Sequence, residues 1–178
     1  SHIVVALQSI VGRNIDPLQA AVVTVGSIHA GSAANIIAAT AELKISVRAL
    51  SNEVRAELLQ RVHDTINLQA QSFGASATIK HVNGCPVVMN DAEATDYVLD
   101  VMRSQFGEAV CHTDVLPSMA SEDFAYMLEA HSKGCYFFVG NGDGAEHHMV
   151  HHPQYDFNDD IILPVAQLWC ALAERYLR

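Results

Sequence analysis

Apolar residues recur along this chain at two different periods, and the change from one to the other marks out the elements. Ile3, Val4, Leu7, Ile10 and Val11 stand three and four residues apart, which predicts an amphipathic helix beginning almost at Ser1. Gly12, with Asn14 and Pro17 beyond it, ends that helix. Residues 20–28 form a valine-rich run that reads as a buried strand. Residues 41–48 alternate cleanly, with Leu43, Ile45 and Val47 on one face and Glu42, Lys44, Ser46 and Arg48 on the other. That alternation is the signature of a half-buried antiparallel strand. A second helix, with Asn52 as its cap, carries the stripe Val54, Leu58, Val62, Ile66, Ala70 and Phe73 and stops at Gly74. Residues 76–82 read as another strand. The order helix, strand, strand, helix, strand is a β-α-β-β-α-β ferredoxin-like arrangement without its first strand.

Asn83-Gly-Cys-Pro86 reads as a joint dividing the chain into residues 1–84 and 85–178. Beyond it helix-like and strand-like runs alternate. Residues 92–106 predict a helix with Val98, Val101, Met102 and Phe106 on one face and Gly107 closing it. Residues 109–112 suggest a short strand. Ser121-Glu-Asp-Phe124 opens a further helix, a serine cap followed by first-turn carboxylates. Residues 136–139 read as a buried strand of the parallel type. A last helix has Pro164 near its start, Asp159 or Asp160 as cap, and Ile161, Val165, Leu168, Trp169, Leu172 and Tyr176 inward. The fold class expected is α/β: a ferredoxin-like α+β domain, then part of an α/β domain.

Composition narrows the function classes. A chain of 178 residues that is 50% hydrophobic and 17% charged is globular rather than disordered. Its formal charge of −10 and scattered basic residues give no footprint for nucleic acid or an anionic membrane surface. No apolar run reaches the ~18 residues that span a bilayer. The four cysteines are far apart, with no Cys-x-x-Cys pair, so buried free thiols of a cytoplasmic protein are expected rather than disulfides.

Candidate chemistry concentrates between His147 and Asp160, where four of the ten histidines fall. His147, His148, His151 and His152 are too close in sequence for all to ligate one ion without a sharp turn, so one or two ligands are the sensible expectation. From residue types alone, a metal-ligating role and a solvated polar loop are both open. Asp156, Asp159 and Asp160 suit either the orientation of an imidazole or helix capping. Glu122 and Asp123 suit either a site carboxylate or a first-turn charge. Arg48 can fork onto a carboxylate or simply face solvent. Gly140-Asn-Gly-Asp-Gly144 lacks the ending of a phosphate loop, and no Gly-x-Ser-x-Gly elbow is present.

Four segments in collinear order carry a more specific signal. They are Ala6-Leu-Gln-Ser-Ile-Val-Gly-Arg-Asn-Ile-Asp-Pro17, Gly31-Ser-Ala-Ala-Asn-Ile-Ile37, Met119-Ala-Ser-Glu-Asp-Phe124 and His151-His-Pro-Gln-Tyr-Asp-Phe-Asn-Asp159. Over essentially the whole chain they resemble the hippurate hydrolase and indole-acetyl-amino-acid hydrolase branch of the aminoacylase and carboxypeptidase-type metallohydrolases. The resemblance implies a two-domain enzyme that cleaves the amide of N-acyl amino acids. It implies a dinuclear centre of zinc, manganese, nickel or cobalt, at which a metal-bridging water attacks the carbonyl with a glutamate as general base. Residues 1–84 then match the lid and homodimerisation domain, and 85–178 the C-terminal half of the catalytic domain.

By the same resemblance His151 falls on the metal-ligating histidine. Asn35 and Arg48 match contacts to the substrate carboxylate, in reach of a neighbouring subunit's site, and Glu122 borders the metal pocket. The family's Cys-Gly-His-Asp-x-His segment, its Glu-Glu pair with the general base and its lid histidine have no counterpart here. They are expected upstream of Ser1, as is the lid's first strand, so the chain alone is expected to be inactive. Residues 36–38, Ile-Ile-Ala, also replace the family's usual ending of that segment. The alternatives from other classes are a non-catalytic dimerisation or binding module and a catalytically dead relative of the same fold.

Overall fold

The computed structural model describes residues 1–82, 84–142 and 148–178. Asn83 of the expected joint lies outside the described residues, as do residues 143–147, the end of the glycine-rich loop and His147. The chain forms two compact units: Ser1–Val87 with Pro117–Asp123, and Val88–Leu116 with Phe124–Arg178.

In the first unit, α1 (His2–Asn14) and α2 (Asn52–Ser72) cover one face of a two-stranded antiparallel sheet, β1 (Ala21–Ala30) and β2 (Ala41–Ala49). The period-2 pattern is what makes this possible. Val23 and Val25 of β1 lie opposite Val47 and Ile45 of β2 and turn toward the helices. There they meet Leu7 and Ile10 of α1 and Val54, Leu58, Val62 and Ile66 of α2, all buried. The register slips between Val25 and Ser27, leaving Gly26 as the extra residue of a bulge.

Helix α2 starts one residue earlier than its sequence suggests. Ser51, in extended backbone geometry, is the cap: its Oγ accepts the Val54 N–H at 3.2 Å. Asn52 is instead the first helical residue, and its Oδ1 accepts the Val87 N–H at 3.4 Å. At the other end Gly74 takes φ +68°, and the Ala75 and Gly74 N–H groups bond to the Ala70 and Gln71 carbonyls at 3.0 and 2.9 Å. This Schellman closure needs the left-handed geometry that glycine adopts freely. Phe73 sits past the last full turn and is exposed, with its ring 4.7 Å from His2. The sequence placed it inward; the helix has ended before its stripe could continue.

Residues 76–82 do not form the expected strand. Among the described residues no ladder pairs with them, and only Ala77 packs on the core. Their β-forming side chains are present, but a strand needs a neighbour to bond to.

The second unit is built on α3 (Ala92–Phe106) and α5 (Ile162–Tyr176), which bury Val101, Leu168 and Leu172 between them. Asp91 caps α3 through the Ala94 N–H at 2.9 Å. The Tyr97 hydroxyl donates to the Leu172 carbonyl at 2.6 Å, and the Arg175 guanidinium lies over the Tyr97 ring. Trp169 and Tyr176, expected inward, are 57% and 82% exposed. Leu168 and Leu172 define the buried face, and each helical residue turns ~100°, so Trp169 falls on the flank beside Phe137.

Three more expectations are corrected here. Residues 109–112 are not a strand: Glu108–Val110 is a 3₁₀ turn, closed by the Cys111 N–H on the Glu108 carbonyl. The helix expected from Ser121 begins at Phe124, as α4 (Phe124–Ala130). Residues 136–139 have no described ladder partner either. Asn90 takes that role, its Oδ1 accepting the Tyr136 N–H and its Nδ2 donating to the Tyr136 carbonyl, both at 2.8 Å. A side-chain amide thus satisfies both backbone groups that a neighbouring strand would otherwise bond.

Among the described residues, no helix is long and apolar enough to cross a membrane. Cys85, Cys111 and Cys135 are half-buried free thiols, and Cys170 is an exposed one, so the expected burial of the cysteines is only partial.

Candidate functional site

The histidine-rich segment of the second unit is a pair of linked turns. The His152 N–H bonds to the Met149 carbonyl at 3.1 Å, and the Tyr155 N–H to the His152 carbonyl at 2.9 Å. His151 is the third residue of the first turn and has φ +72°, the only non-glycine with positive φ among the described residues. A turn with positive φ at its third position ordinarily places glycine or asparagine there. An imidazole is therefore held in a geometry that costs on the order of 1 kcal/mol. Such strain persists only where the surroundings over-determine the backbone.

Asn141 holds the segment that follows the two turns. Its Oδ1 accepts the Asn158 N–H at 2.8 Å, and its Nδ2 donates to the Asp156 carbonyl at 3.0 Å. The segment that follows the turns is thus fixed to the end of the 136–139 run. Asn158 in turn accepts the Asp160 N–H at 3.1 Å and caps the 3₁₀ turn Asp159–Ile161 that leads into α5. The cap is Asn158, one residue ahead of Asp159, because Asp159 and Asp160 already belong to the turn.

The neighbouring imidazoles are placed differently. His148 and His152 stack with ring centroids 4.0 Å apart and planes 12° from parallel. His152 Nδ1 accepts the Gln154 N–H at 3.1 Å, so its neutral ring carries the proton on Nε2. His151 is exposed and has no hydrogen-bond partner among the described residues. His151 is thus open to a ligand, while His152 is engaged in holding the turn.

Three other expected site residues lie in the first unit. Asn35 is exposed in the 31–40 connection between β1 and β2. Arg48 lies opposite Val22, toward the far end of the hairpin. At ~3.4 Å per residue, the seven steps from residue 41 to 48 put Arg48 roughly 24 Å from that connection. The connection that carries Asn35 and the end of β2 that carries Arg48 thus belong to opposite ends of the hairpin. The Arg48 guanidinium donates to the Met119 carbonyl and so ties residues 117–123 to the first unit. Glu122 rides on this tied segment, and its Oε1 accepts the Asp123 N–H at 3.0 Å.

No group of three or more histidine, cysteine, aspartate or glutamate side chains gathers tightly enough to hold a metal ion among the described residues. The described donors do not by themselves fit a metal centre, which needs at least three protein ligands for zinc. The structure also contains a functional element that residue types did not flag. Asn141 sits in a Gly-Asn-Gly stretch that reads as an ordinary turn, and only the fold reveals it as the clamp.

The sequence pattern of peptidase family M20/M25/M40 matches residues 5–175. The chain is 39% identical to the hippurate hydrolase of Campylobacter jejuni over 178 residues, covering 100% of this chain and 45% of that protein. It is 36% identical to the N-acetyl-L-cysteine deacetylase of Bacillus subtilis, over 99% of this chain and 41% of the relative. Among solved structures, a putative aminohydrolase from methicillin-resistant Staphylococcus aureus superposes with a TM-score of 0.76 at 27% identity, covering 99% of this chain and 45% of that one. The chain spans less than half the length of each.

Proposed function

The chain belongs to peptidase family M20/M25/M40, and from that premise we propose that it forms part of a metal-dependent amidohydrolase of N-acyl amino acids. The observation that carries the reading is the identity, across the whole chain, with a hippurate hydrolase and with a deacetylase of N-acetyl-L-cysteine. Both names describe hydrolysis of an amide between an acyl group and an amino acid. His151, held at positive φ and without a hydrogen-bond partner among the described residues, is the residue that contributes to the metal centre. The other ligands and the general base lie on polypeptide outside this sequence, and no catalytic step is assigned to the residues present.

The first unit is a ferredoxin-like lid through which two copies associate, and the second is the C-terminal part of the catalytic domain. The separation of Asn35 from Arg48 along one hairpin supports the dimer. The enzyme works in the cytoplasm, where its free thiols stay reduced.

Release of benzoate from hippurate tests this reading. The 178-residue chain is expected to show no turnover with or without added Zn²⁺, Mn²⁺, Co²⁺ or Ni²⁺. A polypeptide that continues upstream of Ser1 is expected to hydrolyse hippurate, to lose that activity to a chelator and to regain it with metal. Turnover by the short chain, or chelator-resistant turnover by the long one, refutes the proposal.

A further inference from the structure

Only two of the chain's asparagines, Asn83 and Asn141, stand directly before glycine. The second is the clamp on residues 156–158, with both polar atoms of its side-chain amide bonded to them. Asn141 is half-buried, and Gly142 beside it is exposed and has φ +127°. Asparagine is among the chemically labile side chains, because its amide carbon lies within reach of the next residue's backbone nitrogen. A glycine at that next position has no Cβ to shield the nitrogen.

Asn90 provides a comparison within the same unit. It makes the same kind of clamp, its amide bonded to both backbone groups of Tyr136. The residue after it, Asp91, carries a side chain, and its N–H already bonds to the Gly134 carbonyl at 3.0 Å. The nitrogen that would have to attack the Asn90 amide is therefore shielded and committed elsewhere.

We propose that Asn141 is a site of spontaneous deamidation, that its two hydrogen bonds restrain the reaction in the folded protein, and that the product releases residues 156–158. The Gly142 backbone nitrogen attacks Asn141 Cγ, forming an N–Cγ bond while the Cγ–Nδ2 bond breaks. The Gly142 proton passes through solvent water to the leaving nitrogen, which departs as ammonia. Water then opens the cyclic imide at one of its two carbonyls. Opening at Cγ restores the original main chain and leaves aspartate. Opening at the main-chain carbonyl leaves isoaspartate, in which the main chain runs through the former side-chain carbons.

Ring closure turns the Asn141 amide carbon toward its own backbone, whereas the clamp holds Oδ1 on the Asn158 N–H and Nδ2 on the Asp156 carbonyl. The two bonds must therefore open before the ring can close. Aspartate has no amide donor, so it sets a negative oxygen against the Asp156 carbonyl oxygen. Isoaspartate carries its carboxylate directly on Cα, one carbon short of both former partners. Either product loosens the segment that follows the histidine-rich turns.

This chemistry is independent of the catalytic reading. It is tested on the polypeptide extended upstream of Ser1, incubated at neutral pH in buffer and, in parallel, unfolded in guanidinium chloride. Peptide masses locate the product, and a methyltransferase specific for isoaspartate labels that form. Product is expected at Asn141 and not at Asn90. It should accumulate about thirtyfold more slowly in the folded protein, the ratio that two net hydrogen bonds set. In the isolated isoaspartate form, the Asn158 amide should exchange about thirtyfold faster for the same reason.

Absence of product at Asn141 in the folded protein, or equal rates in the two conditions, overturns the proposal. So does product at Asn90 at the rate seen for Asn141, and so does unchanged exchange at Asn158 in the isoaspartate form. The expected deamidation in a polypeptide that does not hydrolyse hippurate leaves this proposal standing and removes the catalytic one.

Discussion

Replacing His151 separates backbone strain from ligand chemistry. Its φ of +72° places an L-residue in the left-handed region, at a cost of about 1–2 kcal/mol that glycine does not incur. Glycine also makes the unfolded chain more flexible, which costs about 0.4–1 kcal/mol. The His151 side chain is exposed, so little apolar burial is lost. The net expectation for His151→Gly is a turn as stable as the original or up to roughly 1.5 kcal/mol more stable. His151→Val places a β-branched residue in the same geometry and should be the least stable of the three.

The assay is urea unfolding of the 178-residue chain, followed by the fluorescence of Trp169. This is the only tryptophan of the chain and packs beside Phe137 in the same unit as the turn. The activity of the longer polypeptide should not follow the stability order. Loss of a metal-binding imidazole should reduce hydrolysis by about a hundredfold or more in both variants, beyond what loss of a group that merely orients a ligand costs. If His151→Gly loses more than about 1 kcal/mol, the left-handed strain is not there. If the longer polypeptide carrying it keeps full activity, His151 is not a ligand.

Other substitutions test the supports around the site. Leu58→Ala removes a fully buried side chain from the centre of the first unit and should cost about 2–5 kcal/mol in thermal or chemical unfolding. A cost under 1 kcal/mol would mean that the core is not centred on α2. Asn141→Ala removes both bonds that fix residues 156–158 and should destabilise the second unit by about 1–3 kcal/mol, with faster amide exchange at Asn158. Unchanged exchange there would refute the clamp. Lys133 is held above its ordinary pKa of 10.5, first by its hydrogen bond to Glu93 and then by that carboxylate's charge. A raised pKa gives a contribution that is complete below pH 10.5 and lost as pH climbs through the folded value. Glu93→Gln should therefore change the pH dependence of unfolding in alkaline solution, and an unchanged alkaline limb would contradict the pairing.

The helices were legible in the sequence because their periods are set locally. The stripe from Val54 to Ala70 needs nothing beyond its own spacing to identify the buried face, and all five residues of that stripe are buried. The hairpin was legible for the same reason, since Leu43, Ile45 and Val47 alternate with polar neighbours. What failed were strands whose existence depends on a partner. Residues 76–82 and 136–139 have strand-like side chains, but among the described residues the first run has no ladder partner and the second meets the Asn90 side chain instead. Helix starts moved by one to three residues because capping depends on which residue adopts extended geometry, as Ser51 does ahead of Asn52.

The site was half legible. A cluster of histidines before Pro153 marks a turn, but spacing alone cannot say which ring is engaged. The fold distinguishes them, with His152 bonded through Nδ1 and His151 strained and exposed. Arg48 shows the opposite limit. Its strand face was read correctly, yet its guanidinium reaches the Met119 carbonyl, 71 residues away in sequence, and no local pattern announces that bond.

Metal stoichiometry, measured by native mass spectrometry on the 178-residue chain and on the polypeptide extended upstream, tests the shared-site account most directly. The account predicts no bound Zn²⁺ or Mn²⁺ on the short chain and two ions per subunit on the long one, with the second ion lost in His151→Gly. Stoichiometric metal on the short chain, or an unchanged pair of ions in the long His151→Gly variant, would contradict it.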